Sequence, residues 1–189
     1  LTRLAPLADD EDPHVRRQLA GAMIGIDDGK TPQIVVPVLM KLCQDEHPDV
    51  RMGTIRSMWG RYSTEEFDDF LIELSYDRSV YDRVVYHGLS PKKTKSLEVC
   101  KRLVGVLEDP DWNNSGRAAW GLTYGIEEEA YEFVETAVLK ALPHETNTYT
   151  RKNLFQVLET VGTERSIPYL TKVIESDLET KEDQNKAKA

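Results

Sequence analysis

The sequence predicts an all-α solenoid of about five to six helical hairpins, and three observations lead there. An acidic residue stands six positions before an arginine in five places: Asp10 and Arg16, Asp45 and Arg51, Asp77 and Arg83, Asp111 and Arg117, Glu145 and Arg151. The arginines step by 32 to 35 residues, a period suited to a compact two-helix repeat. Leucines fall three and six positions before the acid in four units, at Leu4 and Leu7, Leu39 and Leu42, Leu71 and Leu74, and Leu139 and Leu142, a spacing that lines one face of a helix. No period-two run of β-branched residues competes with this pattern, so no strand is expected.

Each unit then reads as a helix A carrying the leucines, a short breaker, and a helix B carrying the arginine. In the first unit the breaker is Asp12-Pro13-His14, where proline opens the next helix, and Val15, Leu19, Ala22, Met23 and Ile26 supply an apolar stripe on helix B. Thr31-Pro32 starts the second helix A, and His47-Pro48-Asp49 turns it into a helix B that carries Trp59. Ser63-Thr64 ahead of Glu65-Glu66 starts the third, whose helix B carries Tyr86. The fourth unit places Gly105 and Glu108 where leucines are expected. Leu103, Val104, Val106 and Leu107 offer an apolar face after a small register shift, before the Asp109-Pro110-Asp111 turn and a helix B with Trp120 and Tyr124. Leu154, Val157, Leu158 and Val161 form the fifth helix B stripe. Thr163-Glu164 before Ile167-Pro168-Tyr169-Leu170 begins an incomplete sixth unit. The repeat domain is set at residues 1–176, and the polar stretch 177–189 is expected to be a disordered tail.

These units resemble HEAT repeats of the short bacterial kind also found in bilin-lyase subunits, with leucines on helix A, Asp-x-x-Pro-x-Val-Arg at the turn and small residues on helix B. Asp10 to Arg16 and Asp45 to Arg51 match that pattern best; the other units match in acid and arginine but not in valine. The resemblance implies that the acid and arginine of stacked units form a hydrogen-bonded structural ladder through the five pairs. It also implies that helix B lines the concave face of a curved array.

A net charge of −9 argues against a surface built to hold nucleic-acid phosphates, which needs concentrated Lys and Arg, and favours a basic protein partner. The longest apolar run, 34 to 42, is far short of the roughly 20 residues that span a bilayer, so no membrane partner is expected. A start at Leu1 suggests that further residues precede it. Cys43 and Cys100 stand apart among apolar neighbours, as reduced core thiols do, which favours a cytoplasmic protein.

No catalytic group, cofactor or metal site is expected. His14, His47, His87 and His144 lack the spacing that puts two ligands on one helical face. The acidic clusters 9–12, 65–69 and 127–129 fall at helix starts, where negative charge complements the helix dipole. Eight glycines scattered through the helices form no phosphate loop and read as close helix packing.

What the core leaves over is a set of cationic and aromatic residues on the helix B segments: Arg17, Arg56, Trp59, Arg61, Tyr62, Trp120, Tyr124 and Lys152. Trp, Tyr and Arg dominate protein interfaces, and Trp59 is the leading exposed anchor. The expected function is therefore a noncatalytic module that captures a basic protein, in its sharpest form an immunity or inhibitor protein neutralising a nuclease-type toxin. A scaffold or adaptor subunit is an alternative, as is a bilin-lyase-like chromophore-handling enzyme subunit. A HEAT-fold DNA glycosylase is disfavoured by the acidity.

Overall fold

The computed structural model describes residues 1–27, 29–62, 64–172 and 175, with the side chain of Trp112 left aside; Ser63 and the tail 177–189 lie outside the described residues. The regular secondary structure of the described residues is helical. Its only β feature among those residues is an isolated bridge between Lys95 and Ile126.

The B helices are α1 (Pro13–Asp27), α3 (Pro48–Met58), the short α5 (Tyr81–Arg83) continued by a π-helix (Val84–Leu89), α7 (Trp112–Gly121) and α9 (Thr148–Val161). The A helices are α2 (Pro32–Cys43), α4 (Glu65–Leu74), α6 (Leu97–Val106) and α8 (Tyr131–Ala141), preceded by a 3-10 turn at Ala5–Asp9 that stands for the first A helix. A helical segment at 167–172 follows the last B helix. Successive B helices pack against one another more closely than successive A helices do, so the B layer is the inner wall of the stack.

One continuous core runs between the layers, with Leu39, Leu42, Leu71, Leu103, Val138, Leu139 and Leu154 among its buried members. The first unit departs from expectation at both helices. Leu7 is 37% exposed because only a 3-10 turn carries it. On α1 the buried stripe is Leu19, Ala20, Met23, Ile24 and Asp27, whereas Ile26 is 63% exposed and Ala22 faces solvent. The stripe turned because Arg16 and Asp27, both polar, are drawn inward by specific partners.

Arg16 donates from Nε and Nη2 to both oxygens of Asp45 at 2.7 and 2.9 Å, and from Nη1 to the Asp10 carbonyl at 2.7 Å, joining two units. Its hydrogen bonds hold the Asp45 carboxyl below the usual range despite partial burial. Arg51 repeats the backbone half, donating to the Asp45 and Glu46 carbonyls. The pattern changes afterwards. Arg83 approaches Asp82 rather than the Asp77 turn, and Arg117 lies over the Tyr86 ring at 4.5 Å. Neither arginine makes the carbonyl bonds of Arg16. In their place Tyr81 donates to Asp109 Oδ2 at 2.6 Å. Arg151 lies over Phe155.

A second recurrence covers all five units: the acid at the end of each A segment accepts the backbone N–H two residues on, at Asp10, Asp45, Asp77, Asp109 and Glu145. Such local bonds close the turn before helix B starts. The fourth member is Asp109, two positions before Asp111, and the residues three and six before it, Val106 and Leu103, are buried. Asp111 is instead the N-cap of α7, accepting from Asn113 N.

Candidate functional site

At the end of α3 the chain reverses through Trp59, with φ 38 and ψ 50, and Gly60, with φ 61. A tryptophan in left-handed backbone is uncommon and costs energy that surrounding contacts must offset. Here the contact is explicit. The Gly60 N–H donates to the His87 carbonyl at 3.0 Å, an oxygen within the π-helix Val84–Leu89. That helix closes with Ser90 N donating to Val85 O, one residue wider than an α-turn, and π segments of this kind gather at functional sites.

The paired irregularities bring the rings of three units together. Trp59 meets Tyr86 edge-on at 5.4 Å between centroids, His87 at 5.3 Å and Trp120 at 6.3 Å. Tyr86 also lies 6.2 Å from Trp120, which continues to Tyr124 at 5.7 Å. Trp59 remains 45% exposed, and Tyr86, His87, Trp120 and Tyr124 are half-buried. The result is an aromatic strip on the inner wall across units two, three and four.

Cations border it. Burial lowers the His87 pKa first, and Arg83, Arg56 and Arg117 lower it further, against the opposing charge of Asp82. His87 Nδ1 and Arg83 Nε are buried and make no hydrogen bond. Arg56 is exposed. Sequence reasoning named Arg56, Trp59, Trp120 and Tyr124 but passed over Tyr86, His87, Arg83 and Arg117 as site members; the interleaving of Tyr and Arg with the tryptophans was the available signal.

Other expected members lie elsewhere. Tyr62 is buried at 3% exposure, its hydroxyl donating to Asp27 Oδ2 at 3.0 Å, so it belongs to the core and not to the surface. Burial alone would raise the Asp27 carboxyl, but bonds from Thr31 and Tyr62 hold it below the usual range. Arg17 is exposed near the first turn of α1, stretched over Gly53, where a Cβ would stand 2.9 Å from its Cγ. Lys152 is exposed on α9 beside a groove of about 740 Å³ that Arg151, Phe155 and Glu159 also line.

The strip rests on the segment 90–96. Gly60 has a φ only glycine adopts freely, and a Cβ there would meet the Pro91 carbonyl at 2.5 Å; Gly125, at φ 71, would meet Lys93 O at 2.4 Å. These are tight turns against backbone, which corrects the reading of them as helix-packing residues. Between them two lysines are buried completely. Lys92 pairs with Asp68 and donates to the Tyr62 carbonyl at 2.7 Å. Lys95 donates to the Lys92 and Tyr124 carbonyls at 2.6 and 2.9 Å and sits 4.1 Å from the Tyr124 centroid. Burial lowers the Lys95 pKa to about 8.

Charge divides between the layers. The B helices carry eight Lys or Arg against four Asp or Glu, a net of +4. The A segments through α8 carry four against eleven, a net of −7. Both cysteines are buried, with burial pushing the Cys100 thiol up to about 12 and Cys43 in the same direction. Among the described residues no group of three or more His, Cys, Asp or Glu is placed to hold a metal ion, and no helix is long and apolar enough to cross a membrane.

The family model for HEAT repeats matches residues 1–89. Among solved structures, the crystal structure of an engineered protein is similar at 17% identity, with 95% of this chain and 87% of that chain covered and a TM-score of 0.61. A designed armadillo-repeat protein is similar at 19% identity, with 85% and 82% covered and a TM-score of 0.55. Among curated proteins none matches the sequence. Residues 1–89 thus match the HEAT-repeat family, and the same hairpins stack through the described remainder as an α-solenoid.

Proposed function

We propose that this chain is a noncatalytic protein-binding module whose inner, B-helix wall captures a segment of another protein on the aromatic strip from Trp59 to Tyr124. The observation that carries this reading is the half-exposed run of Trp59, Tyr86, Trp120 and Tyr124 across three successive units. Aromatic side chains left open on a rigid wall bring large contact area with little conformational entropy to lose. Stacked repeats hold such a wall in place without help from the ligand.

The net charge of −9 supports a second, narrower reading: a basic partner such as a nuclease-type toxin, held by an immunity-type inhibitor. Its specific support is the A-layer excess of acids, which includes Glu65, Glu66, Asp68 and Asp69 on α4. A basic protein would meet that outer face, not the cation-bordered strip.

Affinity capture from the host, followed by titration of the captured protein against wild type, Trp59→Ala and a charge-neutralised α4 variant (Glu65→Gln with Glu66→Gln), decides between the faces. Loss of affinity in Trp59→Ala with unchanged helical content supports the inner wall. Loss confined to the α4 variant moves the site to the acidic face. Unchanged affinity in both refutes the proposal.

A further inference from the structure

Resting on the inner-wall reading, we infer that the strip takes an acidic segment of a partner protein, with carboxylates paired to Arg56, Arg83 and Arg117 while apolar side chains lie on Trp59 and Trp120. The wall is the cationic side of an acidic protein. Three guanidinium groups lie close enough to act on His87, and one carboxylate, Asp82, stands against them. Asp82 already serves two of them poorly, at 3.4 Å from Arg83 Nε and 4.0 Å from Arg117 Nη1. Arg117 is spread over Tyr86 at 4.5 Å with its side chain 28% exposed, so its edge remains open to a second acceptor.

The buried nitrogens Arg83 Nε and His87 Nδ1 lack hydrogen-bond partners, and native proteins rarely leave such groups unpaired. Both lie in the third unit, whose arginine left the structural ladder. Tyr81 takes the ladder position to Asp109, and this substitution frees Arg83 for the inner wall. Guanidinium groups pair with carboxylates through directed, charge-assisted bonds, and their faces stack on aromatic rings, so one strip serves both kinds of contact. An extended nucleic acid is the less suited polyanion: it would carry unbroken charge past the acidic turns that flank each B helix.

The test uses the full chain and tryptophan fluorescence, since Trp59 and Trp120 lie in the strip. The probes are a capped decapeptide alternating Glu with Leu, its Gln and Lys counterparts, and a single-stranded oligonucleotide of equal charge. Saturable binding of the Glu peptide, weakened about tenfold by Arg83→Gln or by Arg117→Gln with unchanged melting, is the expected result. The Gln and Lys peptides should bind at least tenfold more weakly. No saturable binding of the Glu peptide, equal binding of the Lys peptide, or affinity unmoved by the arginine variants would overturn the inference. Tighter binding of the oligonucleotide than of the Glu peptide overturns it in favour of single-stranded nucleic acid. Any of these failures leaves the inner-wall reading standing if Trp59→Ala still loses the captured host protein, and removes both if it does not.

Discussion

The Tyr81 hydroxyl donates to Asp109 Oδ2 at 2.6 Å across 28 residues, the place in the third unit that Arg16 occupies toward Asp45 across 29 residues in the first. One aromatic residue has thus replaced an arginine in the inter-unit ladder. Burial and the bond to Asp109 both raise the Tyr81 pKa, so the donor keeps its proton through the physiological range. Tyr81→Phe is expected to lower stability by about 1 to 2 kcal/mol, as the loss of a hydrogen bond to a charged acceptor does. Arg83→Gln should change it by less than about 0.5 kcal/mol, because Arg83 lies outside the ladder. Urea unfolding of the two variants checks the assignment; the reverse order would return Arg83 to a structural role.

Arg51 retains its ladder bonds to the Asp45 and Glu46 carbonyls. Arg51→Ala is expected to lower the melting temperature while leaving the affinity of the folded protein for its partner within twofold. A variant that melts like wild type but no longer binds would place Arg51 at the interface.

Lys95 gives stability a pH dependence of definite sign. Its folded pKa of about 8 lies below the roughly 10.4 of an exposed lysine. Between those values the unfolded chain binds more protons than the native one, so this group makes stability rise with pH, at most by about 1.4 kcal/mol per pH unit. Below about pH 8 both states are protonated and its contribution is flat. Cys43 and Cys100 act oppositely, since burial raises both thiols above their ordinary range and the unfolded chain loses those protons first. The measurement is therefore a difference: stability of wild type minus that of Lys95→Met should climb from pH 8 to pH 10. A constant difference would mean that Lys95 titrates normally in the native state.

Gly125 and Gly25 should respond in opposite directions to alanine. At Gly125 the backbone is left-handed and a Cβ would overlap the Lys93 carbonyl, so Gly125→Ala is expected to cost about 2 kcal/mol or more. At Gly25, inside α1, nothing lies within 4 Å of the added carbon, and Gly25→Ala should gain up to about 1 kcal/mol. Thermal melts of the pair report on whether the 90–96 segment is clamped as described.

The hairpin architecture was legible because period and leucine spacing repeat in sequence, and burial of Leu39, Leu42, Leu139 and Leu142 follows from them. The fourth unit misled because Asp111 stands six before Arg117 by coincidence, while the turn is built on Asp109. Val106 and Leu103, three and six before Asp109, were the signal that could have corrected it. The site was legible in part. Trp59 and Trp120 are conspicuous residues on a helix B, but their meeting depends on a π-helix and a left-handed tryptophan, neither of which has a local sequence code. Burial of Lys92 and Lys95 was not legible, because lysine is buried so seldom and the groups that receive their ammonium ions, among them Asp68 and the Tyr62 and Tyr124 carbonyls, come from distant parts of the chain.

Trp59 separates backbone strain from ring contact, and two substitutions measure them independently. Both Trp59→Ala and Trp59→Gly remove the ring, so both should weaken partner capture by about 2 kcal/mol or more if that ring anchors the interface. They differ in the backbone. Alanine at φ 38 keeps the left-handed cost of roughly 1 to 2 kcal/mol, and glycine does not. Trp59→Gly is accordingly expected to melt above Trp59→Ala by about 2 to 8 °C, at roughly 2 to 4 °C per kcal/mol for a chain of this size. Equal melting of the two would show that residue 59 leaves the left-handed region once the ring is gone, and that contacts with Tyr86, His87 and Trp120 create the strain. A fall of about 3 to 5 kcal/mol in both would mark Trp59 as a core residue in spite of its 45% exposure, and the anchor would then have to be sought at Trp120.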